Sequence, residues 1–199
     1  MLALHNGLVK FRAKQVTLPN IELKRGEVCG LQGPSGAGKS TLAAVLSGSL
    51  NRHGGTLTTP GYARGGANPV QWVVQRPEQA FNPRLTLAQS LDEAWQGRDY
   101  NRLLSKLEIE KNWLNRRPNT LSGGQLQRIN LLRALSPDTE YLLCDEITAQ
   151  LDMLTQQKIW QSLLLLAAER NLGLLVISHD DHLLKQICHR IIQWPDSQS

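Results

Sequence analysis

Along the 199 residues, four short runs are almost wholly apolar: "VCGL" at 28–31, "VQWVV" at 70–74, "YLLC" at 141–144 and "LLVI" at 174–177. Runs of this length without polar alternation predict strands buried on both faces, as in a parallel sheet. Between them the period becomes helical. Residues 40–47 put Leu42, Val45 and Leu46 on one side and meet Gly48, a suitable residue just past a helix end. Residues 155–170 repeat Ile159, Trp160, Leu163, Leu164, Leu166 and Ala167 at helical spacing before Asn171 and Gly173 interrupt it. Alternating strands and helices predict an α/β core. From Pro83 to about Pro118 the strand pattern is absent. Thr86 and Gln89 are spaced as a capping box there, and Leu87, Leu91, Ala94 and Trp95 form one face, with Leu103, Leu104 and Leu107 forming another. This segment is expected to be a helical insertion of about residues 83–118 in a single domain spanning 1–199.

Composition narrows the class. With 41% hydrophobic and 20% charged residues the chain is an ordinary globular protein and not a disordered one. The net charge of +5 is spread from Lys10 to Arg190 without a dense run, so no nucleic-acid partner is expected. Three cysteines, Cys29, Cys144 and Cys188, form no CxxC pair, which favours a reducing, cytosolic compartment. The N-terminus lacks a leader pattern and no apolar run is long enough to span a bilayer; membrane association would go through a partner.

Candidate chemistry begins at "GPSGAGKS", Gly33-Pro34-Ser35-Gly36-Ala37-Gly38-Lys39-Ser40, followed by Thr41. It fits G-x-x-x-x-G-K-[ST] between a predicted strand and a predicted helix. Glycines let the backbone turn its amides toward an anion, the helix start adds positive dipole, Lys39 supplies a cation for β and γ phosphates, and Ser40 offers a hydroxyl to magnesium. The run "YLLCDE" ends in adjacent acids. Asp145 can hold magnesium directly or through water, and Glu146 can orient or deprotonate an attacking water. A second apolar run ends in "SHDD", putting His179 at the equivalent edge, where it can bond a γ-phosphate.

A second glycine pair, in "LSGGQLQR" at 121–128, has a different use. Ser122 and Gln125 make another capping box, and Leu126, Ile129, Leu132 and Leu135 give its helix a buried face. The helix start presents free amides and the Ser122 hydroxyl past the bare backbone of Gly123 and Gly124. The helical insertion separates it from the phosphate loop, so it is expected to close over the nucleotide held by a second copy packed head to tail. Taken singly, each feature has a structural alternative: a glycine turn with a solvated lysine, acids ending a strand, a histidine entering a helix, an ordinary serine cap.

Together these residues resemble the ATP-binding cassette (ABC) ATPases, the nucleotide-binding subunits of ABC transporters, over nearly the whole chain. "GPSGAGKS" is similar to Walker A, "LSGGQLQR" to the signature, "YLLCDE" to Walker B, "AQLD" with Asp152 to the D-loop, and "SHD" to the switch histidine. "VVQRPEQAFNP" looks like the Q-loop of the nickel and oligopeptide importer branch. The resemblance implies an α/β P-loop NTPase with a RecA-like core of about 1–82 and 119–199, using ATP and Mg²⁺. It implies Gln75 as a sensor of magnesium and γ-phosphate, with Glu146, His179 and Gln75 as the catalytic set. The metal would be held by Ser40, Gln75 and Asp145, and Leu121, Ser122, Gly123, Gly124 and Gln125 would act in trans. Phe11 stands roughly where the family places an adenine-stacking aromatic; a core phenylalanine is the other reading. Implied partners are a second ATPase subunit, identical or paralogous, membrane permease subunits and a solute-binding protein, with the chain peripheral on the cytoplasmic face of the membrane. Ile147 replaces the proline usual after Walker B, and Gln150 departs from the usual D-loop. The alternative function is a soluble ABC-type ATPase in nucleic-acid maintenance or translation; a phosphate-loop kinase leaves the signature and His179 unexplained.

Overall fold

A computed structural model of the chain describes residues 1–11, 14–62 and 66–195. The four apolar runs form β4 (Val28–Gln32), β6 (Val70–Val73), β7 (Tyr141–Asp145) and β8 (Gly173–Ile177). With β9 (Arg190–Gln193) they make a five-stranded sheet in the order β6-β7-β8-β4-β9, parallel throughout. Side chains along these strands divide between two cores. Leu142, Cys144, Leu174 and Val176 face one, while Tyr141, Leu143, Leu175 and Ile177 face the other. Burial on both faces is why the runs lack polar alternation.

One face carries α1 (Lys39–Leu46), through Leu42, Ala43, Val45 and Leu46. A second, antiparallel sheet adds to that core: β1 (Leu2–Phe11) pairs with β2 (Lys14–Thr17), β3 (Ile21–Leu23) and β5 (Gly54–Thr58). The hydrophobic pattern did not predict this sheet. The register of β1 against β5 breaks at a bulge, where Asn6 takes φ 53° and Gly55 takes φ 80°. A Cβ on Gly55 would lie 2.4 Å from the carbonyl oxygens of His5 and Asn6, so only glycine fits there.

The other face carries α4 (Gly123–Ala134), α5 (Met153–Arg170) and α6 (Asp181–Ile187). The same core takes in α2 (Leu87–Trp95), α3 (Asn101–Lys106) and Trp113 of the 3₁₀ turn Lys111–Asn115. α2 and α4 both open with the capping boxes expected of Thr86/Gln89 and Ser122/Gln125. α4 is buried all round, including Gln127 and Asn130, because it is wedged between the sheet and the α2 region. α5 ends where Asn171 turns left-handed at φ 53°.

Candidate functional site

The phosphate-type loop runs from the end of β4 to the start of α1. Pro34, Ser35 and Gly36 are exposed, and Gly36 and Gly38 have φ of 77° and 114°. These left-handed conformations are strained for other L-residues, which explains glycine at both. No side chain caps α1 and no acid lies in its first turn, whereas Thr86, Ser122 and Asp152 cap α2, α4 and α5. An uncapped helix start led by a lysine suits an anion. Lys39 is 7% exposed and its Nζ donates to the carbonyls of Gly33 and Pro34, both at 2.8 Å. The ammonium is thus folded into the loop's own curve. Thr41 follows on the first turn and is half-buried.

Beneath this loop lies Trp194, just past β9 and 8% exposed. A Cβ on Gly33 would be 2.4 Å from the Trp194 Cβ, and one on Gly38 would be 3.3 Å from its Cζ2 and 3.3 Å from Val16 Cγ1. Sequence reading missed both Trp194 and Val16. They carry no chemistry, and only contact with the loop's glycines reveals them.

Asp145 and Glu146 stand at the carboxyl end of β7, and their surroundings differ. Asp145 is 5% exposed, and burial pushes its carboxyl above the usual range, while the Ser40 hydroxyl and the Lys39 charge act in the opposite direction. An oxygen-donor pair of an exposed Ser40 hydroxyl and a buried carboxylate suits a hard cation such as Mg²⁺. Glu146 has φ 49°, an uncommon value for a non-glycine residue. Its N–H donates to Ile177 O at 2.9 Å, and buried Ile147 anchors the following turn. The turn aims the Glu146 side chain at two partners: Gln75 Nε2 donates to its Oε2 at 3.0 Å, and His179 Nδ1 is 3.5 Å from its Oε1. Gln75, Glu146 and His179 come from the ends of β6, β7 and β8, which are neighbours in the sheet. Glu146 and His179 also line a cavity of about 100 Å³ with Thr148, Gln156 and Trp160.

The second glycine pair sits elsewhere. Ser122 and Gly123 are exposed, Leu121, Gly124 and Gln125 half-buried. Gly124 packs on the start of α5, where an added Cβ would lie 2.9 Å from Thr155 Cγ2. The Gly123 and Gly124 amides occupy the first two positions of α4, ahead of its first helical bond, Leu126 N–H to Ser122 O at 2.9 Å. Asp152 is exposed and caps α5 by accepting from Thr155 N–H at 3.0 Å. Phe11 is 44% exposed at the end of β1, so it is not a core phenylalanine.

The profile of the ABC transporter family matches residues 17–149. The nickel import system ATP-binding protein NikE of Staphylococcus aureus (strain N315) is 34% identical over 98% of this chain and 87% of its own length. Two solved structures of the bacterial ABC transporter cassette MJ0796 superpose with TM-score 0.78 and cover 98% of the chain. One is a dimer, 26% identical with 94% of its length covered; the other is a dimeric post-hydrolysis state bound to ADP and Pi, 27% identical with 95% covered. With a family profile spanning the loop, the signature and both acids, and a relative matched almost end to end, the chain belongs to the ABC transporter family as an ATP-binding, ATP-hydrolysing subunit.

Proposed function

We propose that the chain powers an importer of the nickel, metal-chelate or peptide type, and does so as a dimer with two ATP molecules held between subunits. The observation that carries the ATP-hydrolysing part of this reading is the placing of Gln75, Glu146 and His179 on three adjacent strand ends beside the phosphate loop. In this account the loop amides of residues 33–38, the Lys39 ammonium and Thr41 bind the phosphates. Ser40, Asp145 and Gln75 would hold Mg²⁺, which when bound neutralises charge on the phosphate oxygens. Glu146, held from one side by Gln75 and from the other by His179, orients or deprotonates water for in-line attack. His179, whose side chain is 69% exposed, also reaches toward the γ-phosphate.

Gly123 and Gly124 offer their amides, and Ser122 its hydroxyl, to the ATP of a neighbouring subunit, flanked by Leu121, Gln125 and Asp152. Phe11, exposed at the edge of the antiparallel sheet, stacks on adenine. The core of about 1–82 and 119–199 carries the nucleotide, and the helical part of about 83–118 faces permease subunits at the cytoplasmic surface of the membrane. Among the described residues no helix is long and apolar enough to cross a bilayer. The importer assignment rests on the likeness to NikE, which also suggests a solute-binding protein as a further partner. Co-purification with membrane subunits, followed by ATP turnover with a panel of nickel chelates and peptides, tests it. Stimulation by one class supports import of that class, and a chain that recovers no membrane subunit and turns over ATP regardless of solute overturns it.

A further inference from the structure

The phosphate loop is exposed along residues 34–36, and besides the Lys39 ammonium bonded to the Gly33 and Pro34 carbonyls it is supported from below. A single residue meets it at three points. The Trp194 N–H donates to the Gln32 carbonyl at 2.6 Å, immediately before the loop. The Trp194 Cβ lies against Gly33, so close that an alanine there would meet it at 2.4 Å. The far edge of the indole, Cζ2 and Cη2, would be 3.3 and 3.4 Å from a Cβ on Gly38, the cap residue immediately before α1. The entry of the loop therefore rests on the Trp194 main chain and Cβ and the exit on its indole, and Val16 of β2 closes the other side of Gly38. The ring itself is 8% exposed and fixed by the apolar core around α1.

We propose that Trp194 is a positioning residue for ATP: its Cβ at Gly33 and its indole at Gly38 hold the two ends of the loop at the spacing that turns the intervening amides toward the phosphates. Ordering a loop of several residues costs conformational entropy, and a loop ordered before the ligand arrives does not charge that cost to binding. The effect belongs to nucleotide affinity, since the ring touches no reacting group. It rests on the reading of residues 33–40 as the phosphate cradle.

The test compares wild type with Trp194→Leu, which retains a Cβ and an apolar side chain, and Trp194→Phe, which restores a ring. MgATP affinity is measured by calorimetry, with kcat and KM from phosphate release and Tm as a fold control. Trp194→Leu is expected to raise Kd and KM about tenfold with kcat within about twofold, and Trp194→Phe to recover most of the affinity. Intrinsic fluorescence should change on adding MgATP to wild type, and most of that change should vanish in Trp194→Phe, a readout that stands even where the leucine variant folds poorly. Wild-type Kd in both variants with only Tm lowered, or a fluorescence response untouched in Trp194→Phe, overturns the inference. Wild type binding no MgATP would instead sink the reading of the cradle.

Discussion

Gln75 and Glu146 are 71 residues apart in sequence, and the Gln75 Nε2 donates to Glu146 Oε2 at 3.0 Å. The bond ties the end of the edge strand β6 to the left-handed turn after β7. The same amide that would sense metal and γ-phosphate thus holds the carboxylate that would activate water. Removing it should hurt chemistry more than binding. A hydrogen bond to a charged group is worth about 1.5–3 kcal/mol, so Gln75→Ala should lower kcat roughly tenfold to a hundredfold. KM for ATP should stay within about threefold. Steady-state phosphate release checks this; an unchanged kcat would detach Gln75 from the reacting groups.

Ser122 accepts from Gln125 N–H at 3.3 Å while Gln125 Oε1 accepts from Ser122 N–H at 3.0 Å. Ser122→Ala should cost about 1 kcal/mol of stability through the lost cap. It should cost more in ATP turnover, because the same hydroxyl would meet a neighbour's phosphate. The discriminating comparison is between the melting curve and turnover at rising protein concentration. A loss of turnover no greater than the loss of fold would make Ser122 a cap alone.

Four of the five parallel strands were legible because they are short apolar runs, and "YLLC" and "LLVI", buried on both faces, lack polar positions; the edge strand β9, exposed at both ends, was not. The antiparallel sheet was not. In β1 residues 2–4 are all buried and the run breaks at Asn6, β3 is three residues long, and β5 is glycine-rich and largely exposed. For α4 the pattern gave one apolar face, and packing on two sides buried Gln127 and Asn130 as well. Lys39, Asp145, Glu146 and His179 could be singled out as candidates because a phosphate site of this pattern restricts residue type at each position. Trp194 was not, because its relation to Gly33 and Gly38 is pure van der Waals contact formed across the sheet.

Glu27, at the entry to β4, predicts a pH dependence. Burial alone would raise its carboxyl, but the Arg190 guanidinium bonded to it and the Lys24 N–H at 2.9 Å bring it below the ordinary 4.5. Its folded form therefore ionises more readily than the unfolded form. The stabilisation is complete above the unfolded value and disappears as pH falls through the folded one. Glu27→Gln should lower Tm by about 2 °C at pH 7, and the gap should close as pH is taken below 4.5. Melting curves across that range decide it; a gap that persists in acid would assign the effect to packing.

The three cysteines should be inert in the folded protein. Burial pushes the Cys29 thiol up to about 11 and Cys188 up to about 12, and raises the fully enclosed Cys144 as well. Little thiolate exists near neutral pH, and the thiolate is the reactive form. A chromogenic disulfide reagent at pH 8 should react slowly with native protein and rapidly with all three thiols in denaturant. Rapid native labelling would contradict the burial.

Sharing of ATP between two copies is tested most directly by sedimentation of Glu146→Gln, which retains the side chain's shape and removes its charge. With MgATP the variant should bind nucleotide and sediment as a dimer, returning to monomer when ATP is replaced by ADP. A variant that binds ATP and remains monomeric at every protein concentration would contradict the account.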